Sequence, residues 1–175
     1  MTEITMKQVW GALTSAEKDE ACLSFWSGAD AFSRETQKKV AAEMAAALRF
    51  REVFLKRLQP GEKARHLKRL ADGTTLAQYR DEILRAWLLA KKSDLLVCFV
   101  EAQGMRHTGG LIEDDVQPPD RETLRKGVRA LRDKFPPRET ALYMGIMIAS
   151  AGEFWTGLPE IVEQEIPGLE ASLVT

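Results

Sequence analysis

The sequence predicts an all-α fold, a compact bundle of successive antiparallel helical hairpins in a single domain, 1–175, and three features carry that expectation. The stretch Thr140 to Gly152 holds no charge; Ala141, Gly145, Ala149 and Gly152 recur at helical spacing, while Leu142, Tyr143, Met144, Ile146, Met147 and Ile148 fill the other faces. Such a helix accepts neighbours on every side. Elsewhere apolar residues recur mostly at helical spacing, and the joints between periodic segments carry helix-start chemistry. At 175 residues the chain is long enough to bury a core without disulfide or metal staples.

In chain order, Ile4 to Leu13 reads as a short helix. Thr14 with Glu17 has the form of a capping box, opening a helix with Cys22, Leu23, Phe25 and Trp26 on its apolar face and an end near Gly28. Ser33 is the next cap candidate, for a long helix to about Leu58 carrying Val40, Met44, Ala47, Leu48, Phe54 and Leu58. Pro60 suits a first helical turn, so a helix is expected to Ala71 before an Asp72-Gly73 stop. Thr74 or Thr75 then caps a helix with Leu76, Tyr79, Ile83, Trp87 and Leu88, and Ser93-Asp94 offers a fresh start. Leu95 to Val100 is continuously apolar, and the lack of partner strands favours helix there.

Residues 104–119, with Gly109-Gly110, Glu113-Asp114-Asp115 and Pro118-Pro119, read as a loop. Asp120 caps an amphipathic helix with Leu124, Val128, Leu131 and Phe135 on one stripe, and Pro136-Pro137 turns the chain into the uncharged helix. The acidic C-terminal segment, 156–175, offers Leu158, Ile161, Val162 and Ile166 for packing back on the body. Residues 58–64 and 135–141 share a proline, a glutamate and an alanine in the same order. With hairpins opening near Ser33, Thr75 and Asp120, roughly 40 to 45 residues apart, they raise a short HEAT-like array as the minor alternative to a bundle.

Composition is that of an ordinary globular chain with a formal net charge of −1. Cys22 and Cys98 lie far apart in apolar surroundings, not in a metal-binding or disulfide spacing, which suits a reducing compartment. The first residues lack a secretory pattern, and the uncharged helix is shorter than the roughly 18 residues of a membrane span. A soluble cytoplasmic protein with no membrane partner is expected.

The even net charge conceals alternating blocks. Residues 49–92 hold 12 Lys or Arg against 5 Asp or Glu, 93–120 hold 1 against 6, 121–138 hold 7 against 2, and 139–175 hold none against 6. Arg121, Arg125, Arg129 and Arg132 fall near one face of the helix 121–134, where they suit either phosphate binding or neutralisation by the acidic loop and tail. With a pI near 6.2, neutralisation is the preferred reading.

Catalytic motifs are scarce. The only histidines are His66 and His107, and neither sits in a nucleophile or metalloenzyme pattern; Cys98 lies in an apolar run that suits an inert side chain. Glu101, His107, Glu113, Asp114 and Asp115 are the donors from which a metal site in the 101–115 loop region would be assembled, without any recognised ligand spacing. There is no phosphate loop or dinucleotide fingerprint, and no cofactor is expected. Trp10, Trp26, Trp87 and Trp155 with Met144 and Met147 suggest core packing or a groove between helices, with Trp155 the one expected to be partly exposed.

The sequence therefore points to a non-catalytic protein-interaction or adaptor module whose partner is another protein or a second copy of the chain. The alternatives are nucleic-acid binding through the helix 121–134 and an enzyme or metal protein using the 101–115 region.

Overall fold

The structure, a computed structural model, describes residues 3–150 and 153–174. Among them, the fold is all-α. The helices are α1 (Met6–Ala12), α2 (Ser15–Ser27), α3 (Ala31–Leu48), α4 (Glu52–Arg57), α5 (Pro60–Asp72), α6 (Arg80–Lys91) and α7 (Ser93–Ala102). After the two-residue strands β1 (His107–Thr108) and β2 (Leu111–Ile112) come α8 (Arg121–Lys134), α9 (Pro137–Ser150), α10 (Leu158–Glu165) and α11 (Leu169–Val174). The chain divides into two compact units, one of Leu13–Lys91 and one of Met1–Ala12 with Lys92–Thr175. None of the described helices is long and apolar enough to cross a membrane.

In the Leu13–Lys91 unit, α2 packs against α5 and α6. The capping box forms: Thr14 Oγ1 accepts from Glu17 N, and Glu17 Oε2 accepts from Thr14 N. The chain then buries Ala21, Cys22 and Phe25 on α2, Ala64, Leu67 and Ala71 on α5, and Ile83, Leu84 and Trp87 on α6. Polar ties reinforce the apolar contact, since Lys18 pairs with Asp72 and Lys68 with Asp19, each at 2.8 Å, and Trp87 Nε1 donates to Glu20 Oε2 at 2.7 Å. The strongest pairings thus join helices distant in sequence.

Three local expectations are corrected in this unit. The cap of α3 is Asp30, whose carboxylate accepts from both the backbone N–H and the hydroxyl of Ser33, so the helix starts before Ser33. The long helix to Leu58 is interrupted at Arg49, which adopts a left-handed conformation with φ 56°, while Phe50 N–H closes back on Ala45 O at 2.8 Å. Glycine is the usual residue for that turn, so its sequence signal is missing. Neither Thr74 nor Thr75 caps a helix: residues 77–79 form a 3₁₀ turn and α6 begins at Arg80. The buried Arg80 guanidinium turns back on the end of α5, donating to Ala71 O at 2.9 Å and Gly73 O at 3.1 Å. It satisfies carbonyls that the helix end leaves unpaired.

In the other unit, α9 packs against α1, α8, α10 and α11. Every residue from Thr140 to Ile146 is buried, so nearly two turns of α9 have no solvent face. The only buried hydroxyl on the apolar stretch before Tyr143, that of Thr140, donates to Leu131 O. Ala151 and Gly152 of the expected core helix lie outside the described residues. At Gly145 the neighbouring helices come close: a Cβ there would stand 3.2 Å from both Val9 of α1 and Leu173 of α11. A second close approach joins α7 to α8, where a Cβ on Gly127 would meet Gln103 Nε2 at 2.8 Å and the Phe99 ring at 2.9 Å. Phe99 in turn lies edge-on to Tyr143 and Trp155, which fixes its ring.

Two tests follow from this packing. Gly127→Ala is expected to lower stability by about 1–3 kcal/mol in chemical denaturation despite its better helix propensity, because Phe99 cannot give way. The matched Gly11→Ala, with open space around it, should be neutral or stabilising by up to about 1 kcal/mol; equal effects would contradict the close approach. Arg80→Met should destabilise by about 2 kcal/mol by stripping the carbonyls at the end of α5, and an unchanged unfolding midpoint would show that they do not need it.

Candidate functional site

The arginine row of α8 meets the end of α10. Both lie in one unit, and α10 is carried there by its buried Leu158, Ile161 and Val162. Glu165, with a side chain only 8% exposed, accepts from Arg129 Nε and Arg132 Nη1 at 2.9 Å each, with Arg125 Nε at 3.7 Å. Arg125 also donates to Gln164 Oε1 and Arg132 to Asp133 Oδ1, both at 2.9 Å. The hydrogen bond from Arg129, followed by the charges of all three arginines, holds the Glu165 carboxyl below the usual carboxylate range against the opposing effect of burial. Arg121 is exposed at the start of α8 and takes no part in this cluster. Three of the four expected binding arginines are thus turned onto the acidic tail.

The loop donors divide into two sets. His107 Nδ1 accepts from Gly110 N–H at 3.1 Å across the β1–β2 turn, which leaves the ring proton on Nε2, 3.4 Å from Glu101 Oε1. Gly109 and Gly110, both at positive φ, make that turn, and Gly110 lies so close to Leu96 that a Cβ would stand 2.5 Å from the leucine Cβ. Glu113 and Asp115 instead face Arg106, which hydrogen-bonds Asp115 and lies 3.4 Å from Glu113. Asp115 is pulled below the usual range mainly by that hydrogen bond. Asp114 is exposed. The five donors do not converge, and no group of three or more His, Cys, Asp or Glu side chains suited to a metal ion occurs among the described residues. Arg106, not among the candidates, is the residue that organises the acidic loop.

The thiols carry little nucleophilic character. Burial pushes the Cys22 thiol up to about 12 and also raises that of Cys98, so both remain protonated near neutrality. The aromatic expectation is corrected too. Trp155 is buried at 9% exposure, edge-on to Phe99 and Phe154, because the 3₁₀ turn after α9 folds it onto α7. Trp10, Trp87 and Met144 are likewise core residues of their units, so no Trp- and Met-lined groove forms from them.

Trp26 is different. It lines a cleft of about 230 Å³ in the Leu13–Lys91 unit, with Ala41 and Leu55 beside it and Arg34, Lys38, Lys56 and Lys63 around it. Gln37 fixes one wall by donating through Nε2 to Phe25 O and Gly28 O, both at 2.9 Å, which seals the end of α2. Lys63 Nζ lies 5.6 Å from the centre of the Trp26 ring. Next to the cleft, α4 is held by Leu55, its one buried residue, and exposes Val53 and Phe54. In the sequence Trp26 falls on an apolar helix face, but residues of four helices, α2 to α5, must meet before its cleft forms.

No protein-family model matches the chain, and neither the curated proteins nor the solved structures compared with it give a match.

Because the folded Glu165 carboxyl titrates below its unfolded value of about 4.3, its contribution is full above that value and is lost as pH falls through the lowered one. Glu165→Gln should therefore lower the thermal midpoint by a few degrees at pH 7, with the gap to the parent closing below about pH 4. A gap of the same size at both pH values would contradict the role given to this charge.

Proposed function

We propose that the protein is a non-catalytic interaction module that binds another protein through the helices α2 to α4. The observation that supports this reading is the apolar surface of that unit. Of the five large apolar side chains exposed among the described residues, Leu23, Phe32, Val53 and Phe54 belong to it, and the adjacent Val53 and Phe54 are 59% and 53% exposed. Single exposed apolar residues are ordinary on any surface, but Phe54 continues inward through an edge contact with Phe50 at 5.1 Å and then His66 at 5.7 Å. An aromatic anchor joined to the body in this way suits the centre of a protein interface.

The nucleic-acid reading loses support from the same geometry, because Arg125, Arg129 and Arg132 share the Glu165 carboxylate instead of standing free for phosphates. A loop metal site loses support from Arg106, which takes up Glu113 and Asp115.

Two measurements test the proposal. A photo-crosslinking side chain at Phe54 should give discrete adducts in extract of the source cells, and the same group at Lys39, an exposed residue paired with Glu35, should not; identical patterns from both positions would contradict it. Fluorescence polarisation with duplex DNA and single-stranded RNA should show no salt-sensitive binding by the parent or by Arg125→Glu with Arg129→Glu, and clear binding by the parent would favour the α8 reading instead.

A further inference from the structure

The cleft beside Trp26 has the chemistry to say what kind of partner segment it takes, and this step rests on the interaction reading above. Its volume of about 230 Å³ falls below the roughly 300 Å³ at which small-molecule sites begin, so it has room for one or two side chains. Its floor is apolar, with Trp26, Ala41 and the buried Leu55. Its rim is cationic.

The charge on that rim is uncompensated. No carboxylate among the described residues lies within 4 Å of the charged groups of Arg34, Lys38, Lys56 or Lys63, and the nearest Asp and Glu side chains in sequence are turned elsewhere. Glu35 pairs with Lys39, Glu62 caps the start of α5, Glu43 accepts from Tyr79 and Gln78, and Asp30 caps α3. Only Glu52, in the first turn of α4, has no such assignment. The Trp26 Nε1–H is shielded from solvent and meets no acceptor among the described residues.

From these features we infer that the cleft docks an acidic segment of a partner protein, which inserts one bulky apolar side chain against Trp26 and Leu55 and sets carboxylates against the four cations. The apolar floor supplies affinity and the cationic rim supplies selectivity and fast association. A single-stranded nucleic acid suits the rim equally but the floor less, since Trp26 is the one aromatic ring in the lining and a cleft of about 230 Å³ offers no row of rings on which successive bases could stack. A second copy of the chain suits it less, because Leu158, Ile161 and Val162 of its acidic C-terminal segment are already buried and, in its acidic loop beside the exposed Leu111, Glu113 and Asp115 are held by Arg106.

The test uses the full chain and defined probes: a fluorescein-labelled ten-residue peptide with six Asp or Glu around a central Leu-Phe pair, the same peptide with Ser-Ser in the centre, the same peptide with Lys for every acid, and oligo-dT of ten nucleotides. The acidic Leu-Phe peptide should bind saturably and change the emission of Trp26, the partly exposed tryptophan, with affinity falling as salt rises. Replacement by Ser-Ser or by Lys, or the variant Lys38→Glu with Lys56→Glu, should weaken binding about tenfold or more, a loss of about 1.4 kcal/mol or more. The two lysines are exposed, so this variant should unfold at the parent midpoint, and Trp26→Phe checks the optical signal. Tighter binding of oligo-dT, equal binding of the Ser-Ser peptide, or no binding by any probe at about 1 mM overturns the inference. If the peptide fails while position 54 still gives discrete crosslinks, the interaction reading stands and the assignment of this cleft falls; if both fail, both fall.

Discussion

A helix with no polar face must be enclosed, and the unit that holds α9 is built to meet that constraint. Seven consecutive buried residues, Thr140 to Ile146, leave no direction in which α9 can face water. Burial on this scale is the dominant favourable term in folding, and the close approach at Gly145 lets α1 and α11 lie against the helix at once. The N-terminal helix and the C-terminal segment are thus recruited to the same centre, although they lie at opposite ends of the sequence. The electrostatics follows from the packing. Once α10 returns to cover the bundle, Glu165 comes to rest among the arginines of α8, and the basic block 121–138 meets the acidic block 139–175.

The same logic explains the acidic loop. Residues 101–115 carry four acids, Glu101, Glu113, Asp114 and Asp115, and a sequence offers no direction for those side chains. In the fold, the hairpin turn at Gly109-Gly110 presses on Leu96, His107 is fixed by Gly110 and Glu101, and Arg106 gathers Glu113 and Asp115. The charge is consumed locally. In the other unit, the rim of the Trp26 cleft gathers four cations with no carboxylate paired to them, because most of the nearby acids are held by helix caps or by other partners.

Much of the fold was legible because helix boundaries depend on local chemistry. The Thr14 capping box, Pro60 at a first turn, Asp120 as a cap and the uncharged α9 each state their role within a few residues. The misread joints are those where a non-standard residue does the work. Arg49 takes a turn normally given to glycine, Asp30 outcompetes Ser33 as a cap, and Arg80 closes α5 from the next helix, where Thr74 and Thr75 had the more familiar cap chemistry. Of the candidate residues, the α8 arginines were readable as a stripe but their partner was not, since Glu165 lies 33 residues beyond Arg132 in sequence. Trp155 and Trp26 exchanged roles for a comparable reason: exposure of an aromatic ring is decided by which helix folds over it, and neither ring carries that information in its neighbours.

The packing of this unit depends on α9 being covered by helices of its own chain. Hydrogen exchange on the monomer, measured at two protein concentrations well apart, tests that most directly. Amides of residues 141–146 should exchange only through the slowest opening of their unit, with the same protection at both concentrations. Rapid exchange there, or protection that grows with concentration, would show that the chain alone does not enclose the helix and that a second copy completes its burial.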